Sequence, residues 1–188
     1  TSYIYGVPVD YYPDADPYCE ALPQELVNDL IPIVENRYRT YAKTIDIAGI
    51  EASRGHRAIG GFSMGAVTTW YALAHTLNCF KYFIPISSDC WSLGRFAGMT
   101  SPDETAEYLA NTIRDSAFSE NDFYIWAASG SNDVAYDRIL MQIQAMAQLT
   151  DVFPVTNLTF HEQEGVRHEF RPIAEYLYNA LPSLFPNR

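Results

Sequence analysis

An α/β fold, with a mostly parallel sheet covered by helices on both faces, is what this sequence of 188 residues predicts. Three observations carry that expectation. Strand-like and helix-like runs alternate from about residue 57 onward. Gly61-Phe62-Ser63-Met64-Gly65 stands at one strand-to-helix junction, and Asp133 and His168 follow it, each beyond a later strand-like run.

The elements follow in order. Residues 1–22 hold Pro8, Pro13 and Pro17 among tyrosines and aspartates, a composition that predicts an irregular surface loop. Pro23 can open a helix, because its missing N–H costs nothing in the first turn. Leu26, Leu30, Ile33 and Val34, then Tyr38 and Tyr41, recur at helical spacing, and Pro32 bends or interrupts the helix. A short strand is expected at 57–60, a helix at 66–77 and a buried strand at 82–86. Residues 102–115 read as a helix with Asp103 and Glu104 near its positive end. Strand 123–127, helix 136–149 and strand 155–160 precede a last helix carrying Ile173, Tyr176, Leu177 and Ala180. The 1–188 span has one domain's worth of core and shows no internal repeat.

Charge narrows the function classes. Twelve Lys and Arg face 23 Asp and Glu, a formal charge of −11. Nucleic acid and anionic lipid would be repelled over most of such a surface, so a neutral or weakly charged substrate is expected. Solubility is the plainer account of the acidity itself. No apolar run approaches the ~20 residues that span a bilayer. The 14 Tyr and 3 Trp suit sugar rings and phenolic groups, although tyrosine-rich surfaces are common. Cys19, Cys79 and Cys90 allow one disulfide with a thiol left over, or a partner elsewhere, and their spacing fits no metal site. No cofactor is implied. The chain opens without a signal peptide, and the sequon Asn157-Leu158-Thr159 falls in a predicted strand.

The chemistry concentrates around Ser63. In a G-x-S-x-G turn, serine sits on a tight strand-to-helix corner with its oxygen above the sheet, and small neighbours let the backbone close on itself. Such a corner belongs to the α/β-hydrolase fold. The next residue, Met64, would offer its N–H to an oxyanion. The acid and then the histidine follow in chain order in this fold, which selects Asp133 and His168. Asp137 and Asp89 are the rival acids. Of the other histidines, His161 is the competitor, while His56 precedes the nucleophile strand and His75 lies in a helix. His168-Glu169 lacks the second histidine of a zinc-hydrolase helix.

The run HRAIGGFSMGAVTTWYALAHTLNCFKYFIPISSDCW around Ser63 resembles feruloyl esterases of carbohydrate esterase family 1. ASGSNDVAYDRILMQIQAM and GVRHEFRPIAEYLYNALPSLF are similar to that family's acid-bearing and histidine-bearing segments, and LVNDLIPIVENRYRTYA to the helix before the nucleophile strand. The resemblance implies hydrolysis of hydroxycinnamoyl esters on arabinoxylan by a secreted enzyme of plant cell-wall degradation, in some cases cellulosome-associated. It also implies that Trp91 lines the pocket or its rim. Members of the family begin with further strands and a glycine-rich turn giving a second oxyanion N–H, and nothing here matches those. The chain is therefore expected to be the C-terminal two-thirds of such a domain, with a separate N-terminal fragment as a candidate partner. An acetyl-xylan or general carboxylesterase on the same fold, and a polysaccharide-binding remnant without activity, are the alternatives.

Overall fold

The computed structural model describes residues 2–4, 7–9 and 15–185. The irregular stretch expected at 1–22 needs correction. β1 (Ser2–Ile4) and β2 (Val7–Val9) pair antiparallel. Helix α1 (Asp16–Glu25) already begins at Asp16, because Pro17 rather than Pro23 takes the first-turn position. The rest of that stretch lies outside the described residues.

From α1 the chain passes through a π turn (Leu26–Leu30) directly into α2 (Ile31–Arg37). The Ile31 N–H donates to Leu26 O, five residues back. Pro32 has no N–H to give, and its ring would collide with the carbonyl four residues before it. Widening the preceding turn resolves both problems. Helix α3 (Ile47–Ala52) is capped by Asp46, whose carboxylate accepts from Gly49 N at 2.9 Å.

In the remaining chain strands alternate with helical segments. β3 (Ala58–Phe62), α4 (Met64–His75) and β4 (Tyr82–Ile86) come first. The short α5 (Ala97–Thr100), α6 (Pro102–Arg114) and β5 (Tyr124–Gly130) follow. Then come α7 (Tyr136–Met146), β6 (Leu158–Gln163) and α8 (Ile173–Ala180). The four strands β3-β4-β5-β6 lie side by side in sequence order, all parallel.

Each strand joins the sheet on the same side of the last, so right-handed crossovers put their helices on one face. There Trp70 and Leu73 of α4, Leu109 of α6 and Ile139 of α7 pack with Phe83, Ile125 and Ala127. The alternate strand residues Tyr82, Ile84, Ile86, Trp126 and Ala128 meet Tyr176 and Ala180 of α8 on the opposite face. Both faces are thus covered, and all strand C-termini point to one edge of the sheet, where open α/β sheets bind ligands.

Arg54 ties the opposite ends of these strands together. Its guanidinium donates to Leu77 O at 2.7 Å, Asp122 O at 2.8 Å and Phe80 O at 2.9 Å, and stacks 4.3 Å from the Phe118 ring. Arg54→Met keeps the stem but strips three carbonyls of a charged donor. A loss of about 3 kcal/mol is expected, read as a lower urea midpoint.

All three cysteines are buried free thiols, and burial raises their pKa, that of Cys90 to about 11. The sequon asparagine is equally enclosed: Asn157 Nδ2 donates to Glu120 O and Val152 O. Among the described residues no helix is long and apolar enough to cross a membrane.

Candidate active site

Strand β3 stops at Phe62 because Ser63 turns to φ 58° and ψ −116°, a conformation that non-glycine residues rarely adopt. Such a residue costs of order 1–3 kcal/mol and persists only where its surroundings hold it. Here the Ser63 N–H donates to Ile86 O at 2.9 Å, while its carbonyl accepts from Ala66 and Val67 in the first turn of α4. The corner also needs Gly61. A Cβ there would stand 2.5 Å from the Gly65 carbonyl carbon and oxygen, which are backbone atoms with no room to yield.

The expectation that both flanking residues must be small holds sterically for only one of them. A Cβ on Gly65 meets nothing within 4 Å among the described residues. Gly61→Ala is expected to cost about 2–3 kcal/mol. Gly65→Ala, inside a helix, should be neutral or stabilising by up to about 1 kcal/mol. Parallel thermal melts would separate the two variants.

His168, on the loop between β6 and α8, bridges serine and acid. Its Nε2 lies 2.9 Å from Ser63 Oγ and its Nδ1 2.8 Å from Asp133 Oδ1. An ionised carboxylate can only accept, so Nδ1 carries the proton and Nε2 is left to accept from the serine hydroxyl. The imidazole is held between Phe62, whose ring centroid is 4.5 Å away, and the acid loop.

Two loops are zipped together to make this possible. Asn132 N donates to Val166 O, and Gly165 N donates to Ser131 Oγ at 2.8 Å. Gly130 permits the approach, since a Cβ on it would lie 2.2 Å from Val166 O. Asp133 is buried. Burial by itself would raise its pKa, but the hydrogen bonds from His168 and the Ala135 N–H, with the influence of the Ser87 hydroxyl, outweigh that. The carboxyl is therefore held below its ordinary range.

The other predicted positions fall as follows. Met64 is the first residue of α4, where a helix leaves its N–H groups without internal partners, so this amide is available beside Ser63. Trp91 is 3% exposed and packs with Cys19, Val67 and Tyr71, with Met64 and Phe96 against them.

The comparisons with known proteins bear on this geometry. No protein-family model matches the chain. Endo-1,4-beta-xylanase Y of Acetivibrio thermocellus is 38% identical over 167 residues, covering 86% of this chain and 15% of that protein. The feruloyl esterase module from Clostridium thermocellum, a serine-to-alanine variant complexed with sinapinate, superposes with a TM-score of 0.80. Its identity is 36%, over 89% of this chain and 59% of the module. The chain has the α/β-hydrolase fold of the feruloyl esterases. A ferulic acid esterase at 20% identity and TM-score 0.59, covering 87% of this chain and 60% of its own, shares the fold.

Within this fold the rival residues are spoken for elsewhere. Asp89 is fully buried and accepts from Trp91 Nε1 at 3.0 Å and Gly98 N at 2.9 Å, which fixes the loop after β4. Asp137 belongs to the first turn of α7. His161 stacks on Trp126, His56 stacks on Tyr41, and His75 ends α4 exposed to solvent. Sequence reasoning missed the Ala135 N–H, which donates to the acid, and the Ser87 hydroxyl, which helps lower its pKa. Backbone geometry rather than residue type brings them there, so no sequence signal marks them.

Proposed function

We propose that this chain is the catalytic part of a serine esterase that cleaves feruloyl esters, on arabinoxylan or as small esters. The observation that carries the reading is the unbroken hydrogen-bonded path from Asp133 through His168 to Ser63. Ser63 Oγ attacks the ester carbonyl carbon while its proton passes to His168 Nε2. The C–O bond to the sugar then breaks, and His168 returns the proton to the departing alcohol oxygen. Asp133 stabilises the imidazolium formed in between. Water, deprotonated by His168, hydrolyses the acyl-enzyme and frees the hydroxycinnamate.

The Met64 N–H supplies one donor to the oxyanion. Trp91 acts from behind, supporting Met64 and Phe96 as one wall of the acyl site. The sinapinate complex of a 36%-identical neighbour and the similarity to a xylanase support the acyl group and the polymer. An enzyme with that substrate works outside the cell.

The chain spans 59% of the length of the feruloyl esterase module it matches. A further polypeptide segment, as a non-covalent partner, completes the sheet and the oxyanion site in this reading. Its landing place is the β3 edge, where Ala58 and Gly60 are exposed, with Ile33 at 60% and Ile47 at 75% exposure on the helices beside it.

The test is methyl ferulate hydrolysis beside an aryl acetate. A rate ratio favouring ferulate supports the reading. Turnover of the acetate alone would replace it with a general or acetyl esterase, and no turnover with no labelling by a fluorophosphonate would leave a binding role.

A further inference from the structure

Ser87, the residue that follows β4, has a positive φ of 58°, as Ser63 does. The two corners touch, since the Ser63 N–H bonds to Ile86 O and the Ser87 N–H bonds to Ala128 O on the neighbouring strand. Ser87 has only 1% of its surface exposed, and its hydroxyl finds no good partner in Ser129, whose Oγ is 3.5 Å away. Asp133 presents the complementary problem. Its Oδ1 accepts from both His168 and Ala135, while its Oδ2 is buried and has no bond of ordinary geometry. A buried ionised oxygen without a donor is costly, and the buried Ser87 hydroxyl, one of the groups that lower the pKa of this carboxyl, has a proton to give.

We propose that Ser87 is a positioning residue for the acid, its hydroxyl donating to Asp133 Oδ2 and fixing the carboxylate so that Oδ1 meets His168. The inference rests on the esterase reading above. It explains why a serine occupies a backbone conformation that glycine would adopt without strain. The Ser87 hydroxyl is also among the groups that hold Asp133 ionised. The titratable groups facing Asp133 are His168, from the loop after β6, and Tyr176 of α8, whose pKa burial raises to about 12 with the aspartate charge adding to it.

The two variants Ser87→Gly and Ser87→Ala provide the test. Both lose the hydroxyl, but only glycine relieves the backbone, so their melting temperatures should differ while their chemistry should not. Expected in both are a roughly 10-fold fall in kcat with KM within twofold, and an acid limb of the kcat/KM profile moved to higher pH. The limb moves that way because a carboxylate relieved of a donor attracts the imidazolium more strongly. Fluorophosphonate labelling against pH gives the same readout without turnover. An unchanged limb, or effects that follow the melting temperature instead of the missing hydroxyl, would overturn the assignment of Ser87 alone. A parent protein that is not labelled at any pH overturns the esterase reading and this inference with it.

Discussion

Replacing Ser63 with alanine is expected to lower kcat/KM for methyl ferulate by about 10⁵-fold or more, down to the level left by binding and the oxyanion donors. The size follows from the role: no other hydroxyl lies within reach of His168 Nε2 among the described hydrogen bonds. The fold should survive intact. The Ser63 side chain caps nothing at the start of α4, and its one hydrogen bond is to His168. Alanine at φ 58° carries much the same backbone strain as serine, so the melting temperature should stay within about 2 °C. The variant should also fail to react with a fluorophosphonate while still binding ferulate. Turnover retained by Ser63→Ala, with the melt unchanged, would remove Ser63 as nucleophile and reopen the question of which group attacks.

How much of this was legible in the sequence depended on the kind of signal each residue carries. Strand β4 was read at its observed limits because five consecutive buried residues, Tyr82–Ile86, leave no ambiguity. Its neighbours were misjudged where polar or small residues enter a strand. Ser129 and Gly130 look like a turn, yet they extend β5, because only glycine lets the Val166 carbonyl approach. Glu162 and Gln163 look like a loop but extend β6 beyond His161, on an edge with no strand partner among the described residues.

Prolines misled at the other end of the chain. Pro17 and Pro23 suggested a loop and then a helix start, whereas one helix runs through Pro23 and absorbs Pro32 with a π turn. The candidate site was more readable than its frame. Ser63, Asp133 and His168 stand in the chain order their fold imposes, and the structure brings all three together. Ser87 was invisible, since its significance lies in a backbone angle and in which buried oxygen it neighbours.

Asp133→Asn is expected to reduce kcat by less than the roughly 10⁴-fold that a wrong tautomer brings, because the loss here is of charge alone. The Ala135 N–H, 2.7 Å from Oδ1, decides this. A donor at that position forces the asparagine oxygen, not its amide nitrogen, to face both Ala135 and His168. The Nδ1–H tautomer is therefore kept, and Nε2 can still accept from Ser63. What disappears is the negative charge that stabilises the imidazolium. The acid limb of the kcat/KM profile should consequently move to lower pH, opposite in sign to the shift expected for Ser87→Gly. Stability supplies a second check. The folded-state pKa of Asp133 lies below its ordinary value, so its ionised form stabilises the protein above the unfolded pKa. That contribution is lost as pH falls from the unfolded value through the lower folded one. The difference in denaturation midpoint between parent and Asp133→Asn should therefore be largest near neutrality and shrink in acid, below the ordinary carboxylate range. An acid limb that moves upward instead would mean that the imidazole is not held by this carboxylate. A gap that persists unchanged into acid would trace the loss to packing around residue 133.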